Sequence, residues 1–172
     1  MKLLPLSRRH WRLAALLVVP LPARADELHW IWHDNQGDAI KPDEVSFFRK
    51  TFHVDTLPTK ALLSVAADDE AMVYLNGKQV AHPKGYQKPA FEDVTAEIRK
   101  GENVFAIRGV KLESDQAGVV AVLQLKLSKQ HSDFVITDRT WLSSDKDEHG
   151  WRDLDFSNYA LSSSRSLRWA CL

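Results

Sequence analysis

The chain has 172 residues, 23 Lys+Arg against 23 Asp+Glu, 44% hydrophobic residues and one cysteine. That length suits one domain of ordinary size, and the apolar share is enough for a packed core rather than wholesale disorder. A formal charge of zero gives no basic face for a nucleic-acid backbone, and a lone cysteine excludes an intrachain disulfide framework, a multi-cysteine zinc site and a C-x-x-C-H haem attachment.

Residues 1–25 read as a secretory signal peptide. Lys2, Arg8, Arg9 and Arg12 form a positive n-region, and residues 13–19 (LAALLVV) form an apolar stretch too short to span a bilayer. Ala23 and Ala25 place small residues before a cut at Asp26. Ser7-Arg8-Arg9 matches a twin-arginine signal only in part, so the general export route is expected. Cleavage would leave 147 residues with 18 Lys+Arg against 23 Asp+Glu, a charge of −5. No later segment reads as a membrane span. The protein is expected in the periplasm or outside the cell.

The rest of the chain reads as strand after strand. Residues 29–33 (HWIWH) alternate, with Trp30 and Trp32 on one face. Residues 45–54 are rich in aromatic and β-branched side chains, with Phe48, Phe52 and Val54 sharing a face. Strands at 61–67 and 71–75 flank the acidic turn Asp68-Asp69-Glu70. Asn76-Gly77 is a hairpin signal, because both residues tolerate positive φ, and 78–81 is the return strand. Residues 82–90 form a loop with Pro83, Gly85 and Pro89. Residues 96–100 can make one helical turn, capped by Asp93 or Thr95. Gly101-Glu102-Asn103 then turns the chain into a strand at 104–110. Residues 119–127 alternate most clearly, and 134–137 is a further short strand. No sustained helical period appears, so the expected class is an all-β sandwich or barrel. The expected domain spans 26–158. Residues 159–172, with serines and arginines and no acid, read as a tail or a truncated continuation.

These residues also carry a resemblance. The run Val73-Tyr74-Leu75-Asn76-Gly77-Lys78-Gln79-Val80, then Gly85-Tyr86, Asp93-Val94-Thr95, Ile98 and Gly101-Glu102-Asn103-Val104-Phe105-Ala106-Ile107, resembles galactose-binding-like jelly-roll domains of secreted bacterial glycoside hydrolases. The sugar-binding domain of the β-galactosidase and β-glucuronidase family is similar. So is the N-terminal domain of bacterial α-L-rhamnosidases, which often opens on segments like Trp30-Ile31-Trp32 and Phe48-Arg49-Lys50-Thr51-Phe52. Ile136-Thr137-Asp138, Trp141, Gly150-Trp151, Asp155 and Phe156 fit the same exported group. The resemblance covers roughly residues 29–156 and implies a jelly-roll β-sandwich. Its motifs are mostly architectural, and fold alone does not fix function.

Domains of this type that bind sugar do so through loops at one end of the sandwich, with aromatic faces for pyranose C–H groups and polar side chains for hydroxyls. The aromatic candidates are Tyr86, Trp141 and Trp151, with Asp68, Asp69, Arg108 and Lys111 as polar partners. The strand aromatics Trp30, Trp32, Phe48, Phe52 and Phe105 read as packing residues. Asp68, Asp69 and Glu70 are candidates for a structural Ca²⁺, and Asp145, Asp147 and Glu148 form a second acidic loop; neither has a spaced ligand pattern, so each reads first as a solvated turn and no cofactor is required. His29 and His33 lie roughly 13 Å apart along a strand, too far for one ion. No G-x-S-x-G, P-loop, G-x-G-x-x-G or H-E-x-x-H motif occurs, and a catalytic barrel of about 250 residues does not fit the chain. The expected function is therefore non-catalytic binding of polysaccharide or oligosaccharide, beside a neighbouring catalytic or binding module. The alternative is a structural or protein-interaction sandwich without sugar binding, and a small independent hydrolase ranks third.

Overall fold

The computed structural model describes residues 27–33, 40–112, 116–158, 161–163 and 165–167. The signal-peptide reading of residues 1–25 falls outside them, as does Cys171. In chain order the strands are β1 (Trp30–Trp32), β2 (Val45–Val54), β3 (Lys60–Asp68), β4 (Glu70–Leu75), β5 (Lys78–Ala81) and β6 (Ala90–Asp93). After a short 3-10 helix (Thr95–Glu97) come β7 (Gly101–Val110), β8 (Gly118–Lys126), β9 (Ser132–Ile136), β10 (Leu142–Ser144), β11 (Ser162–Ser163) and β12 (Arg165–Leu167). Two antiparallel sheets form a β-sandwich. The first runs β12-β1-β8-β3-β6, with β9 also paired to β8. The second runs β11-β10-β2-β7-β4-β5.

The alternating segments became the sheet centres. β2 and β7 pair from Val45↔Val110 to Val54↔Gly101, and β3 and β8 pair from Lys60↔Lys126 to Asp68↔Gly118. On the inner faces Ala61, Leu63, Val65 and Ala67 of β3 meet Val119, Ala121, Leu123 and Leu125 of β8, all buried. Phe48, Val73, Leu75, Phe105 and Ile107 face them from the second sheet in the same core cluster. Phe48 and Val54 lie in that cluster and Phe52 packs against it, so the face read for β2 is correct. Trp32 packs 5.8 Å from Phe48 by ring centroids and lies over Gly109, while Trp30 is only half-buried.

The Asn76-Gly77 turn has φ of 51° and 84°, as a two-residue hairpin requires. Asn76 also organises that end of the sandwich. Its Nδ2 donates to Glu97 O and to Asn103 Oδ1, both 2.9 Å away, and its Oδ1 accepts from Val104 N. Asn103, fully buried, donates in turn to Arg99 O and Gly101 O. The residues that carry the resemblance here satisfy buried backbone groups, which fixes the fold rather than a ligand.

Some elements differ from the sequence reading. Residues 90–93, read as loop and turn, form strand β6 on β3, from Leu62↔Asp93 to Val65↔Ala90. The helical turn is a 3-10 helix at Thr95–Glu97 with Val94 at its N-cap and no side-chain cap bond. Asp93 instead accepts from Thr95 N and Thr95 Oγ1, at 3.1 and 2.5 Å. These Thr95 bonds hold the Asp93 carboxyl below its usual pKa, with Lys60 adding a smaller pull. Strand β10 was not foreseen, because Leu-Ser-Ser has no alternation; it pairs with Phe47–Arg49 of β2. In the segment read as a tail, Ser162–Ser163 pair with β10 and Arg165–Leu167 with β1, extending both sheets.

The second sheet is covered on its outer face as well. Phe47, Tyr74, Val104 and Ala106 point away from the main core and meet Trp151, with Met72 and Phe156 alongside. Trp151 packs edge-on against Phe47 and Tyr74, at 5.3 and 5.9 Å between centroids. Arg49, 1% exposed, holds this covering segment. Its Nη1 donates to Trp151 O and its Nε to Asn158 Oδ1, each 2.9 Å away, and its guanidinium lies 5.5 Å from the centre of the Phe156 ring. Burial lowers the Arg49 pKa from its usual value, while Asp153 and Asp155 counter it by Coulombic attraction, so the group stays cationic.

Two stability predictions follow from this packing. A Cβ at Gly109 would lie 2.7 Å from Trp32 Cζ3 and 3.1 Å from Val119 Cγ2. Gly109→Ala should therefore cost about 1–3 kcal/mol by overpacking, read as a lower urea midpoint at unchanged slope. Arg49→Ala should cost about 1.5–3 kcal/mol by stripping the Trp151 carbonyl of a charged donor. Limited proteolysis should then cut first within 151–158, and Arg49→Lys should recover little, since lysine lacks the planar fork.

Candidate functional site

One end of the sandwich gathers four of the seven residues singled out for sugar binding. Strand β3 ends at Asp68 and β4 begins at Glu70, so the acidic turn lies where the chain crosses between sheets. The 82–89 loop folds against this turn. Ala71 N donates to Pro83 O at 3.1 Å, Gly85 N donates to Asp69 O, and the Lys84 and Glu70 backbones form an antiparallel β-bridge. Gly85 has φ of 79°, a conformation that favours glycine and lets its amide reach Asp69. Tyr86 is the next residue. It is 53% exposed, and its hydroxyl accepts from Gln87 Nε2 at 3.2 Å. An open aromatic ring thus stands beside the acidic turn.

The acidic side chains have distinct tasks. Asp68 is buried. Asp69 Oδ2 accepts from Leu112 N at 2.6 Å and so ties down the segment after β7. Glu70 pairs through Oε1 with His82 Nε2. Among the described residues no three His, Cys, Asp or Glu side chains gather to hold a metal ion. Two of the three carboxylates of the Asp68-Asp69-Glu70 triplet are thus bonded to separate protein partners. Lys111 is buried beside this end, its amide donating to Glu44 O at 2.9 Å.

The two tryptophan candidates lie elsewhere. Trp141 is fully buried. Its ring packs 5.0 Å from Phe105 by centroids, and its Nε1 donates to Ile136 O at 2.7 Å. Trp151 is 4% exposed and covers the back of the second sheet. Neither ring presents a face to a ligand, so both are packing residues and not sugar platforms. Arg108 is half-buried on the same outer face, 6.0 Å from the centre of the Phe47 ring, and pairs with Met72, two residues along β4 from Glu70. Sequence reasoning missed the Glu70–His82 pair, whose members lie twelve apart with no motif between them. It also missed an open side of the sandwich between β2 and β9, where a groove of about 420 Å³ is lined by Lys50, Phe52, Asp133, Phe134, Val135 and Asp138. No helix among the described residues is long and apolar enough to cross a membrane.

No family model matches the chain. It is 28% identical over 137 residues to an α-L-rhamnosidase of Streptomyces avermitilis, a match covering 75% of this chain and 13% of that protein. The crystal structure of Streptomyces avermitilis α-L-rhamnosidase complexed with L-rhamnose superposes with a TM-score of 0.73 at 26% identity, over 81% of this chain and 14% of the other. An α-L-rhamnosidase from Aspergillus terreus, at 19% identity and TM-score 0.71 over 84% of this chain and 21% of the other, shares the fold. The same holds for a lectin from Pleurotus ostreatus in complex with GalNAc, at 21% and 0.70 over 83% and 44%. The chain thus spans about an eighth of the curated relative it matches. In sequence and fold it is similar to a β-sandwich domain of α-L-rhamnosidases, as the motifs around Asn76 and Asn103 led us to expect.

Proposed function

We propose that the chain is an exported, non-catalytic carbohydrate-binding module that keeps a catalytic or binding partner close to polysaccharide. The observation that carries this reading is the end of the sandwich where exposed Tyr86 stands beside the Asp68-Asp69 turn. Tyr86 supplies an apolar ring face for sugar C–H groups and a hydroxyl at its tip. The neighbouring loop backbone and Lys84 supply hydrogen-bonding groups for sugar hydroxyls. The similarity to a small part of a rhamnosidase supports an accessory role, since the described sandwich spans 13% of that enzyme. Single-site affinity is expected to be weak, because a small exposed ligand offers few contacts against the cost of ordering it.

The first test is retention on a glycan array and on insoluble polysaccharide. Binding should be detectable at millimolar sensitivity, and Tyr86→Ala should weaken it about fivefold, the size of one aromatic contact. No retained glycan at that sensitivity would overturn the reading. A second reading, protein docking without sugar, is favoured by the outer face of the first sheet. There Phe91 is 70% exposed beside the half-buried Leu62 and Val122. Stable capture of a protein partner with no glycan binding would select it. Export has its own check: protein recovered from the periplasm or medium should begin at Asp26 by intact mass, and full-length chain retained in the cytoplasm would refute export.

A further inference from the structure

The outer face of the first sheet carries apolar side chains that the core does not use. On β3 the buried, inward side chains are Ala61, Leu63, Val65 and Ala67, so Leu62, Ser64 and Ala66 point outward. The register carries that outward side across β6, β3, β8 and β9. One row runs Phe91–Ser64–Val122–Ile136, and the next runs Asp93–Leu62–Gln124–Phe134. Phe91 is 70% exposed and Phe134 58%. Leu62, Val122 and Ile136 are half-buried and belong to neither hydrophobic cluster. Five large apolar side chains thus share one open surface, the kind of patch that marks an interaction site.

The dimensions of this surface decide what can cover it. Three strand spacings and one two-residue step separate Phe91 from Phe134, about 16 Å between Cα positions. At the same spacings the two rows with Ala66 and Val120 cover about 300–400 Å². A stable complex of two folded proteins needs about 800 Å² on each side, so a second copy or a free protein partner gains too little here. A sugar polymer needs less, because each further ring that binds is tethered to the last. The chemistry agrees. Between the two phenylalanines lie only uncharged side chains, Ser64 and Leu62 on β3 and Val122 and Gln124 on β8. Gln124 Nε2 donates to Ser132 Oγ at 3.1 Å, which fixes the carboxamide and leaves Oε1 to accept from a sugar hydroxyl. Lys60 and Asp93 pair at the rim, 3.7 Å apart. Aromatic rings alternating with neutral hydrogen-bonding groups match a chain that alternates C–H faces and hydroxyls.

We propose that the outer face of the first sheet is a second saccharide-binding surface, taking one strand of a neutral polysaccharide laid across β6, β3, β8 and β9 from Phe91 to Phe134. The proposal rests on the carbohydrate-binding reading above and adds a surface to the Tyr86 end. A disaccharide reaches only one of the two phenylalanines, so the surface selects polymer over short oligosaccharide.

The test is affinity electrophoresis of the purified protein through native gels containing β-glucan, xylan, galactomannan or polygalacturonate. At least one neutral polymer should retard it. Phe91→Ala and Phe134→Ala should each weaken that retardation about fivefold, and should do so in the Tyr86→Ala background as well. The matching disaccharide should not compete with the retardation left in that background. Both phenylalanines are exposed, so truncation should leave the urea midpoint unchanged. If it does not, Phe134→Leu, which keeps apolar bulk without the ring, should weaken retardation in its place. Retardation lost with Tyr86→Ala and untouched by both phenylalanine variants would refute the face while leaving the function standing. No retardation by any polymer would sink both. Retardation by polygalacturonate alone would refute the neutral polysaccharide. A dimer in sedimentation that Phe134→Ala dissociates would show the face to be a protein interface instead.

Discussion

Strand β2 is buried on both faces. Ser46, Phe47, Phe48 and Arg49 are four consecutive residues at or below 5% exposure, although alternate side chains of a strand point to opposite sides. Phe48 faces the interior between the sheets, whereas Phe47 and Arg49 face outward and must be covered by something else. Residues 151–158 supply that cover, with Trp151 over Phe47 and Arg49 bonded to the Trp151 carbonyl and to Asn158. A buried guanidinium without such acceptors would be costly, so the covering segment and the strand depend on each other. This mutual requirement explains why the chain after β10 keeps to the back of the second sheet instead of forming an open loop at the end of the sandwich.

The same constraint separates architecture from candidate recognition. Asn76, Asn103, Thr95, Thr137 and Trp141 each satisfy a backbone group or fill the core. Thr137, for instance, joins three strands: its Oγ1 donates to His29 O at 2.7 Å and accepts from Ala121 N at 3.1 Å. Such residues serve the sandwich itself, whatever the domain binds. Similarity centred on them therefore reports fold strongly and ligand weakly, which is consistent with one β-sandwich appearing both in rhamnosidases and in a lectin.

The sheet centres were legible in the sequence because their signals are local. Alternation in β3 and β8, the length and apolar content of β2, and the positive-φ pair Asn76-Gly77 each specify structure within a few residues. β6 and β10 were not, because Ala-Phe-Glu-Asp and Leu-Ser-Ser extend only when a partner strand offers its edge. The candidate site divides in the same way. Tyr86 was legible as an exposed loop aromatic, since Gly85 and the two prolines mark a surface loop. Trp141 and Trp151 were misread because their sequence neighbours are polar and turn-like, whereas what buries them is Phe105, Phe47 and Tyr74, all distant in sequence. The groove between β2 and β9 was invisible for a related reason: it exists because β10 is too short to cover the rest of β2.

A sandwich of this kind has few places where a ligand can meet it. Its interior is filled, and the back of the second sheet is occupied by the chain's own C-terminal segment. What remains is an end, an open side and the outer face of the first sheet. The end carries one exposed aromatic ring, Tyr86, and the outer face of the first sheet carries Phe91 and Phe134, so neither offers the large desolvated pocket that tight small-ligand binding requires. Weak contacts of that kind become effective when a second contact is tethered to the first, because the second event is then intramolecular and its effective concentration reaches about the millimolar range. A polymer that presents many copies of one sugar supplies that tether. A module whose shallow locus acts beside a second, tethered binding site would therefore gain on a polysaccharide chain far more than on a monosaccharide. The ratio of those two affinities is the property in which a binding module of this shape differs most from a sandwich that only packs against a neighbour.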